Sequence, residues 1–507
     1  MNRKLSILSL MAMLSLCSQA QEGSYRYADD TQLWRLTNNA AGLGLDSTQN
    51  RGFALFNGEH QSGDYARVQE GDQTNQLRFQ TERYQTVGRY LHAYGRFDFD
   101  YGRTKNRAWS DVMRPFDGSP YVAGSSVSGK YDFQDFDFTA ALGTVDLGGW
   151  RFGLRLDYAV GDLSRLRDPR SRSQLLNYKL SPAITRTMGN HTFGLSGSYN
   201  RRKEKITGVT TVQQDPNLKY YIMTGMEHAE GITGGYSSFG REWVDHRFGA
   251  ELSYQLRRGQ SNTLLTVSIE RGEESAYGQY KYEPGRYIDY RYAFNAHFRD
   301  VEGDLTHLLD LHTSYEQAYA DEYNQQLQQV KDPQSGYTTF YYTNLLTFKK
   351  RYQVEQFQAS MRYRALFTRQ QEEHAYVGFS ANLQSRDNSY ILPSSSLKYG
   401  GTTLLAEGGM ALIPSVWIDA TAGGYLSQQS SLSLNDATTE YAQQVLLPDM
   451  TYYSANYWTG RLSLTYQFPL NIKGQQSLWF VRAYGQYLRA NHQLDAKCIG
   501  ISIGLYN

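Results

Sequence analysis

Runs of ten or more residues in which apolar and polar side chains alternate recur along this chain, and they limit its fold more than any other feature. In "WRFGLRLDYAV", Trp150, Phe152, Leu154, Leu156, Tyr158 and Val160 share one face, and Arg151, Arg155 and Asp157 share the other. "LHAYGRFDFDY" sets Leu91, Ala93, Phe97, Phe99 and Tyr101 against His92, Tyr94, Arg96, Asp98 and Asp100. "RFGAELSYQLR" sets Phe248, Ala250, Leu252, Tyr254 and Leu256 against Arg247, Glu251, Ser253, Gln255 and Arg257. "QFQASMRYRALF", with Arg362 and Arg364, repeats the pattern, as does the terminal "IGISIGLYN". A period of two means strands, and these exceed the usual strand of about 5–6 residues.

Alternation alone does not separate a water-soluble sandwich from a membrane barrel, because only the radial sense differs. Length and connections do. Tilted membrane strands need about 9–11 residues. Tight turns at 146–149, 188–190, 258–262, 302–304 and 413–415 alternate with long polar stretches near 103–130, 207–243, 320–351 and 428–455, and shorter ones near 163–173, 276–286 and 388–400. Short connections alternating with long ones indicate an up-and-down barrel, with turns at the periplasmic end and loops at the extracellular end. The expected fold is an all-β, transmembrane antiparallel barrel of about 16–18 strands spanning 51–507.

The N-terminal end fits the same location. Arg3 and Lys4 precede an apolar run from Leu5 to Cys17 and then Ser18-Gln19-Ala20, the layout of a secretory signal peptide over 1–20. Cys17 invites a lipoprotein reading, but Leu16 stands where a small residue is wanted. Residues 21–50 do not alternate and are expected in the periplasm or as a plug in the lumen. No apolar run is long enough for a membrane helix. Lys+Arg 51 against Asp+Glu 50 leaves no field suited to nucleic acid. The chain has 42 Tyr and 46 Gly but only 11 Pro, a composition that suits a large sheet with crowded or wet faces.

Several segments, "LWRLTNNAAGL" (33–43), "NRAWSDVMRPFDGSPYV" (106–122) and "GDLSRLRDPRSRSQLLNY" (161–178), resemble a family of outer-membrane barrels of Bacteroidota. The likeness spans the mature chain in layout and brings no established activity. Genes of that kind tend to lie near TonB-dependent receptors, so the resemblance implies a nutrient-uptake setting, with such a receptor or a surface lipoprotein as partner. "NNAAGL" is similar to the N-terminal hatch of long-chain fatty-acid transport barrels, here without the proline that follows asparagine there.

Candidate sites are of three kinds. In "SRLRDPRSRS", Arg165, Arg167, Arg170 and Arg172 surround Asp168, either as an anion or gating site or as a loop pinned by internal pairs. The inward row of Arg96, Asp98, Asp100, Arg151, Arg155, Asp157, Arg247, Glu251, Arg257, Arg362 and Arg364 either lines a pore or holds a plug. Its balanced signs suit neutral or zwitterionic solutes. His228, Ser237, Ser238, Asp245 and His246 are close enough in sequence to suggest a hydrolase, although a triad is defined by geometry. "GSSVSGK" (124–130) mimics a phosphate loop but has Tyr131 where a magnesium-binding hydroxyl belongs. No metal or cofactor is expected.

The expected function is a channel or passive transporter for small solutes in contact with outer-membrane lipid, with no catalytic role. The alternatives are a docking barrel whose loops bind a surface lipoprotein or receptor, and an outer-membrane hydrolase. A continuous lumen would favour transport. A lumen packed with paired charges under folded-over loops would favour docking.

Overall fold

A computed structural model of the chain describes residues 33–46, 50–212, 217–233, 239–369, 372–472 and 475–506. The signal peptide expected over 1–20 lies outside the described residues. In chain order the strands are β1 (Gly52–Ser62), β2 (Gln73–Val87), β3 (Leu91–Arg107), β4 (Ala123–Gly124), β5 (Gly129–Thr144), β6 (Trp150–Arg165) and β7 (Arg170–Met188). Then come β8 (His191–Thr210), β9 (Lys219–Gly225), β10 (His228–Thr233), β11 (Arg241–Arg258), β12 (Ser261–Tyr277), β13 (Gly285–Glu302) and β14 (Leu305–Lys331). The last are β15 (Thr338–Arg369), β16 (Glu372–Tyr390), β17 (Ser395–Ile413), β18 (Val416–Ser433), β19 (Tyr457–Ile472), β20 (Gln475–Ala490) and β21 (Asp495–Tyr506).

Eighteen of these form one antiparallel sheet in which each strand pairs with its neighbours in sequence. The sheet closes where β1 meets β21, with Phe56 opposite Ile503 and Asn57 opposite Ser502. Closure leaves no unpaired edge, which a membrane interior requires. The three remaining strands, β4, β9 and β10, make a small sheet separate from the wall.

The terminal strand shows the radial sense. Ile499, Ile501 and Ile503 are 61%, 59% and 47% exposed on the outside, whereas Ser502 is buried inside and donates to Asn57 at 2.8 Å. In a soluble fold that exposure would be costly; here the apolar face meets lipid. Outward rings continue the band around the wall, with Phe56 against Phe79 at 4.6 Å, Phe99 against Phe136 at 4.7 Å and Tyr199 against Phe248 at 5.1 Å. The chain is an outer-membrane β-barrel.

The tight turns expected from sequence fall between strands at one end. The long stretch 320–351 is different, because β14 and β15 run through it and leave only 332–337 as a tip. Beyond the lipid both faces of a hairpin meet water, so the alternation that marks a strand fades although the strand continues. The stretch 207–243 likewise contains β9 and β10, and 428–455 contains the end of β18 and a helix, Leu447–Ser454.

Candidate functional site

The lumen is occupied at both ends. At the turn end, 33–46 fold as two short 3-10 helices, Trp34–Leu36 and Ala40–Leu45, against the inner wall. Asn39 caps the second, its side-chain oxygen accepting from Ala41 N at 3.1 Å. Trp34 is 1% exposed and donates its indole N–H to Gln255 at 2.9 Å. Arg35 pairs with Glu82 at 3.0 Å, Arg155 donates to the Thr37 carbonyl at 3.3 Å, and Arg257 donates to the Leu45 carbonyl. Three wall glycines admit this segment. A Cβ on Gly143 would lie 2.5 Å from Ala40 O, one on Gly153 2.2 Å from Ala41 N, and one on Gly194 2.7 Å from the Asn39 amide. These contacts fall on β2 to β12.

At the loop end, 108–128, 217–233 and 434–456 interlock as a cap. Trp109 packs at a tilt against Tyr221 at 4.3 Å and edge-on to Tyr441 at 5.2 Å, and donates to Gln444 at 3.1 Å. Asp111 is 1% exposed and accepts hydroxyls from Tyr131 at 2.7 Å, Ser171 at 2.6 Å and Tyr220 at 2.8 Å. Three donors on one buried carboxylate tie the first two of these loops to the wall. The tip of 108–128 crosses the bore: Arg386 on β16 donates to Phe116 O at 3.2 Å, and Arg67 lies over the Phe116 ring at 3.4 Å. Gly118 has φ +102° there, and a Cβ on it would lie 2.4 Å from the Tyr287 hydroxyl.

Beneath that tip is a charged chamber of about 220 Å³. Its lining includes Arg114, Lys179, Arg202, Arg247 and Arg291 against Asp117, Asp245, Glu270, Glu274 and Asp289, so its formal charge is neutral. Arg202 bridges Asp117 on the loop at 2.5 Å and Glu274 on the wall at 2.7 Å. Arg247 grips Asp289 with both terminal nitrogens at 2.5 and 2.9 Å. That fork passes over Gly272, where a Cβ would lie 2.4 Å from Asp289 and 2.7 Å from Arg247. Lys179 meets Glu270 at 2.9 Å, and Arg291 meets Glu316 at 3.0 Å. Asp245 and Glu274 stand directly opposite across β11 and β12, and each keeps one buried oxygen without a hydrogen bond. Like charges so placed are unfavourable unless cations flank them, and Arg202 and Arg247 do.

The chain belongs to DUF6850, a family of unknown function. The family model matches residues 40–507, which takes in the whole barrel and the second 3-10 helix. No curated protein matches the chain. Among solved structures it is similar to the copper transporter OprC at 9% identity, covering 90% of this chain and 80% of that one, TM-score 0.40. It is similar to the outer membrane protein opdK from Pseudomonas aeruginosa at 9% identity, covering 90% and 99%, TM-score 0.36. The FrpB iron transporter from Neisseria meningitidis is 10% identical, with 93% and 83% covered, TM-score 0.39. The barrel assignment rests on strand register, not on these likenesses.

The inward row taken from the sequence divides by location. Arg96 pairs with Asp98 at 2.6 Å, and Asp100 pairs with Arg78 at 2.6 Å. Arg151 meets Asp146 at 2.6 Å near a turn. Arg155 pairs with Asp157 at 2.9 Å beside the plug, and Glu251 accepts from Asn38. Arg362 grips Glu407 at 2.6 Å through two nitrogens, and Arg364 shares its face.

The arginine cluster at 164–173 does not converge on Asp168. Arg165 is 2% exposed and donates to the Tyr131 hydroxyl and the Val127 carbonyl. Arg167 donates to Ser128 O at 2.9 Å, and Arg172 meets Asp162 at 2.6 Å. Arg170 meets Asp168 at 3.1 Å, while Asp168 also accepts from Val212 N at 2.7 Å.

The residues considered for hydrolysis are also apart. Asp245 faces inward, and His246 faces outward to the Tyr199 hydroxyl at 2.9 Å. His228 packs at a tilt against Tyr390 at 4.3 Å, and Ser237 and Ser238 lie outside the described residues. What sequence reasoning missed is the cap and the neighbours of Arg247 across the chamber. A signal was available in "NRAWSDVMRPFDGSPYV", where three aromatics and two prolines are unusual for a solvated loop.

Proposed function

We propose that this barrel is a gated passive channel for small neutral or zwitterionic solutes. The observation that carries this reading is the unequal filling of the lumen. Inward arginines directly against the plug or cap are shielded, the Arg247 side chain being 11% exposed and that of Arg155 24%, while Arg96 on β3 and Arg78 on β2 are 40% and 46% exposed. On the opposite wall the inward Arg362 side chain is 45% exposed, and His312 is exposed as well. Among the described residues, the plug makes its hydrogen bonds to the wall on β2 to β11, leaving β14 to β21 as a polar half-bore. A wet track along one wall, beneath a folded cap and facing a charge-neutral chamber on β7 to β13, suits slow diffusion of small polar solutes. The setting the resemblance implies, beside a TonB-dependent uptake system, fits an accessory role.

Conductance in a planar bilayer tests it. The full chain should give rare, small openings, and replacing 436–452 by a short Gly-Ser linker should give steady current. Silence of both proteins, with the barrel intact by heat-dependent gel mobility, would remove the channel reading.

A second reading is docking, and the folded-over loops and paired charges favour it. So does the β14–β15 hairpin, which extends beyond the bulge at Ala320/Glu322 and leaves Leu327, Val330, Tyr337, Tyr341, Leu345 and Leu346 exposed. A two-stranded ribbon is marginal alone, so a surface lipoprotein or receptor against it would stabilise it. Deleting 324–347 should then abolish co-purification of that partner while leaving conductance unchanged.

A further inference from the structure

The β8 segment "NRRKEK" puts alternate residues into two different environments. Arg202 and Glu204 face inward, where Arg202 holds Glu274 and Asp117, and Glu204 accepts from Met113 N at 2.6 Å and Ser173 at 2.7 Å. Arg201, Lys203 and Lys205 therefore face outward, in line with Phe193 and Leu195, which are 46% and 49% exposed to lipid. We propose that this outward row, flanked by Arg172 on β7, binds the phosphate-bearing headgroup of an outer-leaflet lipid.

Depth is the first argument. Below Arg201 the outer face is apolar, ending in Tyr199 packed on Phe248. Charge starts one outward position later: Arg201 stands opposite Tyr178 and His246, Lys203 opposite Leu176 and Val244, and Lys205 opposite Gln174 and Glu242. Four residues of strand rise about 13 Å, or about 10 Å along the membrane normal at the usual tilt. That places the three cations in the layer next to the hydrocarbon, where the polar headgroups of a leaflet lie.

Unequal pairing is the second argument. Lys203 meets Glu242 at 3.0 Å, and Arg172 meets Asp162 at 2.6 Å. Arg201 and Lys205 make no ion pair among the described residues, and the Arg201 Nε is buried without a hydrogen-bond partner. Other outward cations pair closely with carboxylates, as with Arg103 and Asp132 at 2.5 Å and Lys398 and Asp387 at 2.5 Å. A guanidinium without an ion pair beside an aromatic edge, with two further amines above it, suits an acceptor rich in oxygen and negative charge. A phosphate anchored by acyl chains supplies both, with its tails on the apolar band.

The test uses the full-length protein in detergent with bisphosphorylated lipopolysaccharide as the probe, measured by native mass spectrometry. Arg201→Gln/Lys203→Gln/Lys205→Gln should weaken binding about a hundredfold, with heat-dependent gel mobility unchanged. Enzymatically dephosphorylated lipid should bind the parent protein as weakly as the intact lipid binds the variant. Arg103→Gln should bind like the parent. If the triple variant does not fold, Lys205→Gln alone, at an exposed position, should still weaken binding severalfold. Undiminished binding by the folded variant, or equal binding of the dephosphorylated lipid, would overturn the proposal. So would full competition by millimolar inorganic phosphate, which would make this a free-anion site instead.

Discussion

Asn38 and Glu251, 213 positions apart in the chain, are joined by two hydrogen bonds. The Asn38 backbone N–H donates to one carboxylate oxygen at 3.1 Å and its amide donates to the other at 3.0 Å. Glu251 sits on β11 facing inward and is buried, so its charge is satisfied mainly by the plug. Glu251→Ala would leave both donors on the plug unpaired, at a cost of about 2–3 kcal/mol. Trypsin cleavage at Arg35 in proteoliposomes should then rise by more than tenfold, and Glu251→Gln, which keeps one acceptor, should fall between. Equal cleavage of all three proteins would mean that this contact does not hold the plug.

Gly153 offers an independent test through shape instead of charge. Its neighbour across the gap is backbone, Ala41 N at 2.2 Å and Ala40 C at 2.4 Å from the position of a Cβ, so no side-chain rotation relieves the clash. Gly153→Val adds nothing unfavourable to a strand in itself. The barrel should therefore form normally while the plug is displaced, with more frequent conductance steps and the same rise in cleavage at Arg35. Unaltered plug protection in a folded Gly153→Val barrel would contradict the packing described.

Strands were legible in sequence where their two faces meet different media. The outward Ile499, Ile501 and Ile503 against Gly500 and Ser502 could hardly be misread, and the turns at 188–190 and 258–262 follow from the same logic. Alternation fails where both faces meet one medium. The β14–β15 extension is wet on both sides, and its "NQQLQQV" and "TTFYYTN" segments read as loop although β-branched and aromatic residues favour strands there. Charged residues were placed on the inner face by parity alone, but parity does not choose partners. Arg247 reaches Asp289 across two strands because Gly272 between them has no side chain. The four arginines near Asp168 illustrate the converse. Closeness in sequence at a strand end scatters side chains among a buried hydroxyl, carbonyls and separate carboxylates.

The chamber under 108–128 should set selectivity if solutes pass it. Arg247→Gln removes one of five cations and leaves Asp289 with Arg291 at 3.1 Å, so the lining becomes net negative. A unit charge a few ångströms from the path is worth about 1 kcal/mol in a wet bore, or about a fivefold shift toward cations. Reversal potentials in a KCl gradient measure this directly. Glu274→Gln should shift them the other way, and no movement in either variant would place the conducting path elsewhere.

Asp449, in the cap helix, gives the gate a pH dependence of defined sign. Burial pushes its carboxyl up to about 7, against the pull of the Val68 N–H at 3.0 Å and of Arg67, with Glu70 adding to the upward push and Tyr441 and Tyr453 facing it. A carboxyl raised in the docked state favours docking when protonated. That stabilisation is fully present below the ordinary value of 3.8 and is lost as pH rises through about 7. The full swing is roughly 4 kcal/mol, most of it spent between pH 4 and 7. Open probability should therefore be higher at pH 8 than at pH 5. Asp449→Asn keeps an acceptor for Val68 but carries no charge to desolvate, so its cap should stay shut at both values, with little change between them. If that variant opened with rising pH as the parent does, the sensor would lie elsewhere in the cap.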